Sequence, residues 1–170
     1  WVIMAGMIAG SLPFAHYLAI VRGGWHSLLN DPQVRWFMML VVGLISLLCW
    51  HLMQNGLGFS DALRQASFNG ISLMTGTGYV SANFSAWGGF ATTILLIVMF
   101  IGGCGGSTTC GIKVFRLQVL ASTAKVQISR LLRPHAIALA YYNKRPVSIE
   151  VMDSVMGFFY LYILGFVIIA

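Results

Sequence analysis

Two stretches, Thr75-Gly76-Thr77-Gly78-Tyr79 and Gly102-Gly103-Cys104-Gly105-Gly106-Ser107-Thr108-Thr109-Cys110-Gly111, interrupt an apolar run that carries no charge from Gln65 to Ile112. Five glycines in ten residues cannot form a stable helix interior, since each costs about 1 kcal/mol against alanine. The surrounding residues are as apolar as a membrane span. Lipid tolerates non-helical backbone only where protein buries it or where it lines a watery cavity. Two such breaks in one run therefore point to a pathway inside a membrane protein.

Composition supports the membrane. Of 170 residues, 58% are hydrophobic and 8% charged, and the mean hydropathy is +0.83. Soluble domains carry roughly 25% charged residues. A span needs about 20 apolar residues, and uncharged stretches run over Trp1–Val21, Trp36–Ser60 and Ser154–Ala170 as well. The first has neither a basic leader nor a small-residue cleavage pattern, so it does not read as a signal peptide. With no initiator Met and an apolar end, the chain reads as a fragment of a longer protein.

The net charge of +6 is placed, not spread. Arg22 and Arg35 bracket one gap between apolar stretches. Lys113, Arg116, Lys125, Arg130, Arg133, Lys144 and Arg145 occupy another. Basic residues mark the cytoplasmic side, so residues 1–21 are expected to cross inward and 36–55 outward. Charges that flank spans make a nucleic-acid partner a poor reading; the partner implied is the lipid bilayer.

Between Asn55 outside and Lys113 inside the number of crossings must be odd. One short helix entering from outside, followed by one full crossing, meets that requirement. The helix should begin at Ser60-Asp61, with Ser as N-cap and Asp in the first turn. It should end near Leu73 or Met74, too short to span. The chain then climbs back through Val80-Ser81-Ala82-Asn83 to Trp87, expected in the interfacial aromatic belt. From Gly88 it crosses inward to Ile101 and breaks within the membrane. An amphipathic basic helix over 112–133 follows, ended by Pro134.

At Thr75–Gly78 the Thr and Gly residues let backbone carbonyls face an axis, where they can replace a cation's hydration shell. No carboxylate is present, and carbonyls suit a large monovalent ion better than Mg²⁺. An ordinary extracellular turn is the plainer alternative. A dinucleotide fingerprint fails because Ser81 stands where the third glycine belongs. Gly102–Gly111, with three consecutive hydroxyl residues, reads as a constriction or gate; close helix packing through small residues is its rival. A phosphate loop fails, since Ile112 precedes Lys113 and no Ser or Thr follows it.

Cys49, Cys104 and Cys110 make neither a disulfide framework nor a metal site. Lys113 is a possible pore-lining residue and equally a basic anchor at a span end. Arg64 should pair with Asp61. His16, His26, His51 and His135 share no spacing and read as loop or interface residues. No Ser/His/Asp, zinc or paired-carboxylate arrangement suggests an enzyme.

Phe68–Tyr79, Phe84–Trp87 and above all Phe100–Val114 resemble the Trk/Ktr/HKT superfamily of potassium uptake proteins, nearest its bacterial TrkH branch. Arg133-Pro134-His135-Ala136 and Gly157-Phe158-Phe159 share the likeness. The resemblance implies an all-α membrane fold built from helix–pore loop–helix (M1-P-M2) repeats, four around one pore, in the bacterial inner membrane. Residues 1–22 would end one repeat and 23–35 form a cytoplasmic loop. Residues 36–133 would be a complete repeat with a broken second helix, 134–149 a second loop, and 150–170 the next first helix. Thr75, Gly76, Thr77 and Gly78 would supply one quarter of a K⁺ filter. Gly102, Gly103, Cys104, Gly105, Gly106, Ser107, Thr108, Thr109, Cys110 and Gly111 would form the gate loop. No covalently bound cofactor is implied, only K⁺ as the transported ion. The partners implied are a second copy in a homodimer and a cytosolic nucleotide-binding subunit of the TrkA type. Two other functions fit the residues alone. A secondary transporter with discontinuous helices could carry another cation, coupled to or permeable to Na⁺. A non-transporting scaffold could use the glycines for packing.

Overall fold

The computed structural model describes residues 1–24, 28, 30–133, 141–143 and 145–169. His26, Pro134, His135, Ala136 and Lys144 lie outside the described residues, as does most of the second expected loop. The chain divides into two compact units, Trp1–Val114 and Phe115–Ala170.

The single crossing expected over 1–21 is broken. Residues 1–21 are two helices, α1 (Val2–Gly10) and α2 (Phe14–Val21), bent by 102° from one another. Pro13 is the local cause. It has no N–H to donate, and its ring would clash with a helical carbonyl four residues earlier. The break carries no charge, so the charge map could not reveal it.

Helix α3 (Pro32–Gln54) is 23 residues long, about 34 Å at the α-helical rise and long enough for a hydrocarbon core of roughly 30 Å. It starts before the expected Trp36. Asp31 is its N-cap and accepts from the Gln33 N–H at 2.8 Å, with Pro32 at the first position. Proline suits that position because its missing N–H would have no partner there. Asp31-Pro32 thus starts a helix inside the stretch 23–35 expected as a loop. Val34, Phe37, Val41, Leu44, Leu48 and Leu52 are buried, at the three- and four-residue spacing of one helical face.

That face receives α4 (Phe59–Met74). Gly70 lets the two helices approach, since a Cβ there would lie 3.3 Å from Leu44 Cδ2. Helix α4 has 16 residues, ending at Met74 as expected, about 24 Å and too short to span. Its start differs from expectation. Gly58, in extended conformation, is the N-cap, so Ser60 lies inside the first turn and makes no cap bond. The Asp61–Arg64 pair forms at 3.4 Å between exposed side chains, where such pairs contribute little.

A 3-10 turn (Phe84–Trp87) leads to α5 (Gly89–Met99). Trp87 is buried. Its carbonyl accepts from His51 Nε2 at 2.9 Å, and the His51 ring lies 5.0 Å from that of Phe90. The second unit holds α6 (Val114–Leu132) from Phe115 onward, a hairpin of β1 (Tyr141–Tyr142) and β2 (Arg145–Pro146), and α7 (Ile149–Ile169). Within it the Arg116 guanidinium sits 3.7 Å from the Phe158 ring centroid. Among the described residues, Pro32–Gln54 and Glu150–Ile169 are long and apolar enough to cross a membrane.

Candidate functional site

Helix α4 delivers the chain to Thr75, which is buried. Gly76 and Gly78 then take φ of +71° and +78°, a left-handed region that residues with a Cβ avoid. Those reversals return the backbone N–H groups to the end of the helix. The Thr75 N–H donates to Ile71 O at 2.9 Å and that of Gly76 to Leu73 O at 3.2 Å. Thr77 and Gly78 both donate to Ser72 O, at 3.0 and 3.3 Å. The Thr75 and Thr77 hydroxyls meet at 2.7 Å. Among the described residues no hydrogen-bond donor reaches the carbonyl oxygens of residues 75 to 78. The segment has satisfied its donors and left its acceptors open. Such a surface attracts cations and repels anions.

The returning limb is held by Asn69, a residue the sequence reading passed over. Its Nδ2 donates to Gln65 O at 2.9 Å and to Ser81 Oγ at 3.2 Å, while its Oδ1 accepts from the Ser81 N–H at 3.0 Å. The available signal was an amide on the face of α4 that also carries Ala62 and Ala66.

The second glycine stretch is a loop closed at its base. Gly102 N–H donates to Ile112 O at 2.9 Å, and Ile112 N–H to Phe100 O at 2.8 Å. These bonds form a parallel bridge between Ile101 and Ile112. A Cβ on Gly102 would lie 2.0 Å from Cys110 O, and one on Gly103 would lie 2.6 Å from Thr109 Oγ1. Only glycine fits either position. Inside the loop, Gly103 N–H donates to Thr109 Oγ1 at 2.8 Å, and Ser107 Oγ to Cys104 O at 2.6 Å.

The loop docks on the α1–α2 break. Cys104 N–H donates to Ser11 O at 3.0 Å, Thr108 Oγ1 to Gly10 O at 3.0 Å, and Phe14 N–H to Gly106 O at 3.1 Å. The groups freed by each interruption are satisfied by the other, as buried backbone requires. From the start of α3, Gln33 Oε1 accepts from the Gly105 N–H at 2.8 Å. Beside it, His16 Nε2 and Asp31 Oδ2 are 2.6 Å apart.

The Thr75–Gly78 segment and the glycine loop meet around a cavity of about 250 Å³ lined by Gly6, Met7, Gly10, Thr75, Thr77, Thr108 and Thr109. A Cβ on Gly76 would touch Cys110 Cβ at 3.4 Å. Cys104 is fully buried and does not line this cavity, whereas Cys110 is exposed. Lys113 does not line it either. Its Nζ folds back to donate to Ser107 O at 3.2 Å and to the Thr109 carbonyl. Among the described residues no cluster of His, Cys, Asp or Glu could hold a metal ion.

Residues 1–170 match the family described as TrkH, cation transport protein. The chain belongs to that family. It is 34% identical over 165 residues to the Trk system potassium uptake protein TrkI of Halomonas elongata, covering 96% of this chain and 33% of that protein. It is 34% identical over 158 residues to TrkH of Vibrio parahaemolyticus, covering 90% of this chain and 32% of that one. The crystal structure of the potassium transporter TrkH from Vibrio parahaemolyticus superposes with a TM-score of 0.90 at 31% identity, over 97% of this chain and 36% of that one. The chain thus spans about a third of the length of these TrkH-family relatives. It shares their helical fold, and with it the helix–pore loop–helix architecture of a membrane protein.

Proposed function

We propose that this chain supplies one repeat of a potassium uptake pathway in the bacterial cytoplasmic membrane. Thr75, Gly76, Thr77 and Gly78 form a quarter of the selectivity filter, and Gly102–Gly111 form a gate below it. The carrying observation is the asymmetry of residues 75 to 78, whose N–H groups are bonded back to α4 while their carbonyls stay open. Carbonyls in that state substitute for the water of a large monovalent cation. The names of the relatives, Trk system potassium uptake proteins, support K⁺ as that cation. A homodimer and a cytosolic nucleotide-binding subunit of the TrkA type belong to the same proposal.

The rival secondary transporter calls for a carboxylate at the membrane midplane. The partly buried acid here, Asp31, is engaged as the cap of α3 and with His16, which gives that rival no support. Gly78→Ser tests the filter, because a Cβ is strained at φ +78°. Uptake of radioactive rubidium by the full-length protein should fall or become sensitive to Na⁺. Unchanged uptake with unchanged Na⁺ competition would sink the assignment.

A further inference from the structure

We infer that Asn69 is a positioning residue for cation selectivity, holding the outer limb of the filter at a fixed distance from the pore helix. The inference rests on the filter reading of Thr75–Gly78.

The side chain is 1% exposed and uses three of the four hydrogen-bonding capacities of a primary amide. One bond goes down its own helix to Gln65 O, which fixes the amide plane. The other two grip a single residue, Ser81, through both its N–H and its hydroxyl. Asn69 and Ser81 are 12 positions apart, and all four filter residues lie between them. The inner end of that segment is already tied to Ser72 O and Leu73 O. The segment is therefore held at both ends, and the outer tie is a single side chain.

Local helix stability does not explain this residue. Asparagine is a poorer helix former than leucine, and the other buried positions of α4 are apolar or small, with Ser67 and Ser72 the polar ones. An apolar residue at 69 would suit α4 itself at least as well. What it could not do is hold Ser81. With the outer tie gone, the limb can move and the carbonyls can close around a smaller cation. Discrimination between K⁺ and Na⁺ should then weaken, whether it derives from cavity size or from the number of carbonyls in reach.

The test is rubidium uptake by the full-length protein with Na⁺ as competitor, normalised to the amount in the membrane, for Asn69→Leu, Ser81→Ala, Asn69→Gln and Gly78→Ser. Asn69→Leu should strengthen Na⁺ competition about tenfold, as expected for losing one or two net hydrogen bonds. Ser81→Ala keeps the bond from the Ser81 N–H and should shift competition about two- to threefold. Unchanged competition in a normally inserted Asn69→Leu protein overturns the inference. If that variant does not reach the membrane, unchanged competition in both Ser81→Ala and Asn69→Gln overturns it. Gly78→Ser separates the two readings. An effect there without one at Asn69 removes only this inference, whereas no effect at Gly78 removes the filter.

Discussion

Replacing Gly102 with alanine would force a methyl group into the base of the glycine loop. The new Cβ would stand 2.0 Å from Cys110 O, whereas real Cβ contacts are not found below 3.0 Å, so the two sides must part by about 1 Å. The bonds from Gly102 N–H to Ile112 O and from Ile112 N–H to Phe100 O, now 2.9 and 2.8 Å, would then exceed hydrogen-bonding distance. Each is worth about 1 kcal/mol net, so the closed loop loses about 2 kcal/mol, roughly 30-fold in its equilibrium. With the loop acting as a gate, passive rubidium leak from vesicles holding the full-length protein should rise by up to that factor. Gly89→Ala is the control, since it begins a helix and a Cβ there meets nothing within 4 Å. Leak unchanged in a normally assembled Gly102→Ala protein, or raised equally by Gly89→Ala, would refute the reasoning.

Lys113→Met removes the donors to the Ser107 and Thr109 carbonyls; leak should rise in the same assay, and an unchanged leak would leave Lys113 as a simple basic anchor. Asp31→Ala removes the cap on Gln33 N–H and the partner of His16. It should cost about 0.5–2 kcal/mol, the usual range for a lost N-cap, seen as a lower melting temperature in detergent. An unchanged melting temperature would show that the cap contributes nothing to stability.

The sequence was most legible where a residue type alone forbids a conformation. Clustered glycines at 76, 78, 102, 103, 105, 106 and 111 each weaken a helix and together disfavour a continuous one, so both interruptions and the end of α4 at Met74 were expected where they occur. Asp61 and Arg64, three residues apart on one helix, were paired for the same local reason. The start of α3 was misplaced because Asp-Pro serves equally as a turn and as a cap with its first helical residue.

By itself, then, the sequence determined a membrane chain with two breaks in its backbone, because apolarity and glycine content act residue by residue. The tertiary structure alone decided what completes those breaks. Thr108 meets Gly10 across 98 positions, Gly105 meets Gln33 across 72, and Asn69 meets Ser81 across 12. Such bonds form because a freed polar group in an apolar surrounding must find a partner. Which partner it finds depends on what the fold brings near it, and no local pattern records that.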